Sequence, residues 1–91
     1  MGLSWDQVGT KLGLSWDQAK KMLNLSEASI TITVLMHEFG WSNRTKFRQK
    51  FINPMLELNL IAMTIPGKPK SSKQKYAITD NGKLLLKELN R

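Results

Sequence analysis

The chain has 91 residues, of which 41% are hydrophobic, and this predicts one small globular domain with a single core. Fourteen Lys and Arg residues against seven Asp and Glu give a net charge of +7, which favours an anionic partner, nucleic acid first. The absence of cysteine excludes disulfides and thiolate metal sites, and the lack of a long apolar run or leader predicts a soluble, cytoplasmic protein without membrane contact.

A six-residue phrase, GLSWDQ, occurs twice near the N-terminus, starting at Gly2 and again at Gly13. In the second copy Ser15 is a suitable N-cap, so we predict the first domain helix at about 15–25. The glycines weaken a continuous helix across both copies. We therefore predict a linker or duplicated lead-in over residues 1–13 and a winged-helix domain over residues 14–91.

A short helix is predicted next, from Thr31 to about residue 39, with a very short strand at Ile30 before it. The ITITV phrase also has strand propensity, which is the competing interpretation. Gly40 fits the C′ position that ends this helix, and Ser42 is predicted to cap the following one.

The helix that begins near Asn43 has two distinct faces. At 100° per residue its core face carries Phe47, Phe51, Met55 and Leu58. Its opposite face carries Lys46, Gln49, Lys50 and Asn53. Pro54 predicts a kink or a break after Ile52, or the start of a short continuation, and Asn59 is predicted to adopt a left-handed conformation at the end.

The C-terminal part predicts a basic hairpin followed by a helix. Strands are expected at 60–65 and 76–79, joined by a lysine-rich loop, and Asp80 is expected to cap a helix over 83–89. The predicted fold class is therefore mainly α with a small β-hairpin (α+β). It is a winged helix-turn-helix with about three core helices, a two- to three-stranded wing and a C-terminal helix.

The function predicted from this order of elements is binding of double-stranded DNA, because a helix and a basic wing together suit a duplex. The candidate DNA-binding residues on the helix are Asn43, Arg44, Thr45, Lys46, Gln49, Lys50 and Asn53. Those on the wing are Lys68, Lys70, Ser71, Lys73 and Lys75. Arg48 is predicted nearer the core, where it would pair with an acid such as Glu38 or reach the backbone.

Two structural alternatives remain open: the helix face is a solvated charged surface, and the loop is a flexible hairpin tip. A protein-interaction or dimerisation module without direct DNA contact is the rival function. It would dock on neighbouring domains or on a second copy through the leucines of 83–89 and the tryptophan-bearing N-terminus.

The sequence contains no set of residues that suggests a catalytic site. His37 is the one histidine and is predicted to be exposed, and no activated nucleophile or glycine-rich phosphate loop is present. We therefore predict no cofactor, no metal site and no enzymatic activity in this chain. Trp41, in the turn before the basic helix, is a weak candidate for stacking on bases and a stronger one for packing.

Several phrases carry a family resemblance: NRTKFR, FINPMLE, MTIPGKPKSSKQKY and a T-x-x-G motif from Thr79 to Gly82. This segment resembles a winged-helix module found at the C-terminus of two kinds of bacterial protein. One kind is the ATP-dependent DNA helicase-related proteins with a Schlafen/AlbA-like domain, and the other is a group of Fic-type proteins. The resemblance implies a winged helix with a DNA-binding or regulatory role, and any enzymatic activity in other domains. Gly67 stands where Asp is expected, and Asn59 where Gly is usual.

Overall fold

The structure, a computed structural model, describes residues 5–90. Its elements in chain order are α1 Trp5–Leu12, α2 Trp16–Ser26, α3 Ile32–Phe39, α4 Arg44–Phe47, a π-helical segment Arg48–Ile52, α5 Asn53–Glu57, β1 Ile61–Met63, β2 Tyr76–Ile78 and α6 Asp80–Leu89. We call the continuous run of α4, the π segment and α5 the central helix, residues 44–57. Within residues 5–90 no helix is both long enough and apolar enough to cross a membrane.

The predicted fold class is confirmed: the chain is mainly helical and carries one small antiparallel hairpin, as in a winged helix-turn-helix. Strands β1 and β2 pair with Ile61 opposite Ile78. Ile30 adds an isolated antiparallel bridge to Tyr76, with N–H to carbonyl distances of 2.9 and 2.7 Å, as predicted for a very short strand. This bridge ties the chain entering α3 to the base of the hairpin.

The core lies between the central helix and helices α2 and α6. The predicted core face is confirmed, because Phe47, Phe51 and Met55 are fully buried. Leu58 is partly buried and packs against them. Helix α6 contributes Leu85, while Leu84 on the same helix is 46% exposed. Burial of these aromatic and aliphatic side chains fixes which side of the central helix remains available to a partner.

Local capping signals place most of the helix ends. Ser15 forms a reciprocal capping box with Gln18, both hydrogen bonds being 3.1 Å, and Thr31 caps α3. The left-handed conformations predicted for Gly40 and Asn59 are confirmed at φ values of 70° and 56°. Gly40 therefore ends α3 and begins the turn of the helix-turn-helix, which we define as α3, residues 40–43 and the central helix.

Two predicted caps are wrong by one residue. Asn43, not Ser42, caps the central helix, and its Oδ1 accepts a 2.9 Å hydrogen bond from the Lys46 N–H. Thr79, not Asp80, caps α6, which already starts at Asp80. Thr79 occupies the cap position because its hydroxyl accepts a hydrogen bond from the Gly82 N–H and donates one to the Asn59 carbonyl. The second hydrogen bond connects α6 to the end of the central helix.

Residues 5–12, within the segment predicted as a linker or duplicated lead-in, form a helix. Val8 and Leu12 of α1 are buried, a spacing that gives this short helix an apolar face. Gly9 leaves room for the ring of Trp5, which lies 6.0 Å from Trp16, and the left-handed Gly13 ends the helix at a φ of 65°. Residues 1–4, where the first GLSWDQ copy begins, lie outside the described residues, and the division at residue 14 stays a prediction.

The short continuation predicted from Pro54 is confirmed, because α5 begins at Asn53 with Pro54 in its first turn. The π segment before it accommodates the proline, and the Asn53 N–H donates to the carbonyl of Arg48, five residues back. A wider turn relieves the contact between a proline ring and the preceding turn of a regular α-helix. It also rotates Ile52 inwards: regular α geometry would put Ile52 roughly 140° from Phe47, yet its side chain is fully buried.

Candidate nucleic-acid interface

The outward face of the central helix carries the side chains predicted to approach DNA. Lys46, Gln49 and Asn53 are exposed. Lys50 is also exposed, but its Nζ lies 3.5 Å from the Gly13 carbonyl and 6.0 Å from the ring centre of Phe51. Lys50 therefore points towards the end of α1, away from the other three.

The start of the central helix has two of its predicted contacts already engaged within the protein. The side-chain oxygen of Asn43 is used as the helix cap. Arg44 donates from Nη2 to the Thr33 hydroxyl at 3.1 Å, which holds its guanidinium against the start of α3. Thr45 is exposed. Arg44 is thus directed towards α3 rather than outwards with Lys46.

The wing, residues 64–75, is built from three consecutive turns. Each turn is closed by a hydrogen bond from an N–H to the carbonyl three residues back. The three donor and acceptor pairs are Lys68 to Ile65 at 3.1 Å, Ser71 to Lys68 at 3.1 Å and Gln74 to Ser71 at 3.0 Å. Pro66 and Pro69 occupy the second positions of the first two turns, where a fixed φ favours this geometry. Backbone hydrogen bonds therefore give the lysine-rich loop a defined shape.

Gln74 is the internal support of the wing, a role that was not predicted from the sequence. Only 3% of Gln74 is exposed. Its Oε1 accepts from the Ile65 N–H at 2.9 Å, and its Nε2 donates to the carbonyls of Ile65 and Lys68 at 2.5 and 2.8 Å. The available signal was a neutral amide inside a run of lysines, a residue type able to satisfy both donors and acceptors.

The predicted wing residues divide between the tip and the stem. Lys68, Lys70 and Lys73 are exposed on the turns, and the hydroxyl of Ser71 accepts from the Lys73 N–H at 3.2 Å. Lys75 belongs to the stem, where its carbonyl accepts from the Thr64 N–H at 2.9 Å. Three lysines are thus presented on a folded support.

A cleft of about 420 Å³ separates the wing from the helix-turn-helix. Its lining joins the start of α3, the first turns of the central helix and the wing tip. It brings the predicted residues Arg44, Lys70 and Ser71 together, and it adds Arg48. Arg48 was predicted to pair with Glu38 or reach the backbone, whereas the structure places it in this cleft.

Trp41 and His37 are the two remaining candidate residues. Trp41 packs edge-on against Phe47 and Phe51, at ring-centre distances of 5.9 and 5.2 Å, so the packing interpretation accounts for it. His37 is exposed as predicted. Among residues 5–90 no three His, Asp or Glu side chains are grouped so that they could hold a metal ion.

The chain is similar to a known protein family and to a solved structure. Residues 17–79 match the family described as "Filamentation induced by cAMP protein Fic-like, C-terminal domain". The crystal structure of a Fic family protein from Desulfovibrio desulfuricans G20, at 2.70 Å resolution, is similar over 82% of this chain, with a TM-score of 0.62 and 29% sequence identity. This chain spans 23% of that protein's chain. No curated protein matches. These matches support the Fic-type part of the resemblance, and neither supports the helicase-related part.

Proposed function

Because this chain belongs to the family of Fic-like C-terminal domains, we propose that it is an accessory winged-helix module of a larger bacterial protein and that it binds duplex DNA. Any catalytic activity of the parent protein then resides in its other domains. The module tethers or directs the parent to DNA, and the base-contacting surface is the outward face of the central helix.

The observation that carries this proposal is the position of the charge. Residues 39–79 contain eight Lys and Arg residues and one acid, Glu57, which together account for the whole net charge of +7. The rest of the chain is electrically balanced. The excess therefore falls on the central helix and the wing, the two elements that a winged helix can bring to a duplex. A uniformly basic surface would not favour one face in this way.

Each part of this surface has side chains suited to a different contact. Gln49 and Asn53 can form paired hydrogen bonds with adenine, and Lys46 can donate to guanine. Lys68, Lys70 and Lys73 on the wing turns are suited to phosphate oxygens, which position a protein on DNA without reading sequence. The helix would thus supply any base preference, and the wing would supply much of the affinity.

Titration of a fluorescently labelled duplex, followed by anisotropy over a series of salt concentrations, tests this function. Binding should weaken as salt rises, with a log–log slope of about −0.9 for each phosphate neutralised. The variant Lys68→Ala/Lys73→Ala should make that slope less steep by about two if each lysine contacts one phosphate.

The matched control is Lys83→Ala/Lys87→Ala, because both lysines are exposed on α6 and the same charge is removed. This control should keep the slope of the unmodified protein. Absence of binding at low salt, a flat salt dependence, or an equal change of slope in both variants would contradict the proposal.

Exposed apolar residues favour a second candidate function, docking onto another part of the parent protein or onto a second copy. Trp16 on α2 is 43% exposed and Leu84 on α6 is 46% exposed, so both large apolar side chains are accessible to a partner. Sedimentation velocity separates the two functions. A tight dimer that excludes DNA from the central helix would favour docking, and a monomer that binds duplex would favour DNA binding.

A further inference from the structure

The cleft between the wing and the helix-turn-helix is distinct from the outward helix face. Its three cationic side chains come from two elements far apart in the chain: Arg44 and Arg48 are one turn apart on the central helix, and Lys70 comes from the wing tip. Lys46, Gln49 and Asn53 are not part of its lining. The cleft can therefore take a ligand of its own, whatever the outward face contacts.

The chemistry of the lining points to an anion with several acceptor oxygens. No carboxylate of residues 5–90 lines the cleft, so its three cations face no opposing charge from this part of the chain. Hydroxyl groups stand beside the cations, and they belong to Thr31, Thr33, Ser71 and Ser72. The positive end of the α3 dipole also lies at the cleft, since Thr31 is the cap of that helix.

A hydrogen bond within the protein positions Arg44 for such a ligand. Its 3.1 Å hydrogen bond to the Thr33 hydroxyl fixes one nitrogen of a guanidinium that has five donor hydrogens, so donors remain for a second acceptor. Arg48 is half-buried and lines the same cleft. Two guanidinium groups with hydroxyl donors beside them suit tetrahedral oxyanions, because their planar forks can donate in pairs.

We propose that this cleft binds a phosphate group, with Arg44, Arg48 and Lys70 as its charged ligands. A volume of about 420 Å³ exceeds what a lone anion needs and lies within the range of small-molecule pockets, so the phosphate can carry an organic substituent. A nucleic-acid backbone and a free phosphorylated metabolite both offer this chemistry. The site rests on the cleft itself and does not require that the proposed DNA-binding function hold.

Nuclear magnetic resonance titration with inorganic phosphate, with chloride adjusted to keep ionic strength constant, tests the site. Saturable shifts should appear at the backbone amides of Thr33, Ser71 and Ser72. The variant Arg48→Gln should weaken phosphate binding by about tenfold, the size of one charge-assisted hydrogen bond. Lys50→Gln removes the same charge from the same helix outside the cleft, and it should leave phosphate affinity nearly unchanged.

Because Arg48 is half-buried, Lys70→Gln on the exposed wing is a second test that does not disturb the helix. It should also weaken phosphate binding several-fold. Shifts that do not saturate, shifts spread over all basic surfaces, or equal losses for the Lys50 and Lys70 variants would overturn the proposal.

The same variants identify where the phosphate comes from. If the ligand is a DNA backbone, Arg48→Gln should lower duplex affinity and make the salt slope less steep by about one. If it is a free phosphorylated molecule, Arg48→Gln should still weaken phosphate binding about tenfold but leave duplex affinity unchanged. Both results support a phosphate site. If the unmodified protein does not bind duplex DNA, the proposed function is refuted. The phosphate site is then still decided by the phosphate titration alone.

Discussion

The wing should lose its shape when Gln74 is replaced by leucine. The substitution keeps an apolar stem of similar length but removes three hydrogen bonds to the backbone of Ile65 and Lys68. At about 0.5–1.5 kcal/mol each, those bonds are worth roughly 1.5–4.5 kcal/mol. The two carbonyls keep their turn hydrogen bonds from Lys68 and Ser71, so the lower half of that range applies. We expect a loss of about 2 kcal/mol.

The loss should be concentrated in the wing rather than spread over the fold. Hydrogen exchange of the Ile65, Lys68 and Ser71 amides should accelerate on the order of thirtyfold, the equivalent of about 2 kcal/mol. The amides of α2 and the central helix should change less, since they do not contact Gln74 through these bonds. Duplex affinity should also fall, because Lys68, Lys70 and Lys73 would no longer be held in one arrangement.

Gln49→Leu is the matched control, because it makes the same substitution at an exposed position of the central helix. Its effect on the free energy of unfolding should stay within about 0.5 kcal/mol. If the wing amides of Gln74→Leu exchange at the rate of the unmodified protein, or if both variants accelerate them equally, then Gln74 does not organise the wing and the reasoning is refuted.

Two glycines give further predictions. Gly82→Ala should cost about 1–3 kcal/mol in urea unfolding, because an added Cβ would overlap the carbonyl oxygen of Leu60. Gly67→Ala is its control and should be neutral or stabilise by up to about 1 kcal/mol, since Gly67 has open space and no left-handed φ; equal losses in the two would contradict this. Gly67→Asp should fold normally but bind duplex more weakly at low salt, and an unchanged affinity would argue against a wing close to phosphates.

Local signals explain why much of the fold could be predicted from the sequence. Caps such as Ser15 and Thr31 act within one turn of their own position, so the residues that decide the outcome lie side by side in the chain. Left-handed positions such as Gly40 and Asn59 are equally local. The core face of the central helix was predicted correctly at Phe47, because regular α-helical periodicity holds through the first turns of this helix.

Predictions failed where the deciding contact was non-local. No helix was predicted within the linker or duplicated lead-in of residues 1–13, because Val8 and Leu12 of α1 gain burial only against the distant elements of the domain. The cap assigned to Asp80 failed because the Thr79 hydroxyl can also bind the Asn59 carbonyl, 20 residues earlier. No window of sequence around residue 80 contains that partner.

The candidate phosphate site depends both on residue types that can be seen in the sequence and on non-local packing. The charges of Arg44, Arg48 and Lys70 are visible in the sequence, but the cleft needs a helix and a loop more than 20 residues apart to meet. Gln74 sets the position of the loop, and the packing around the central helix sets the two arginines. The wing is therefore one wall of the cleft as well as a surface of its own, so Gln74→Leu should weaken phosphate binding even though Gln74 carries no charge. An unchanged phosphate affinity in that variant would mean that the helix arginines alone form the site.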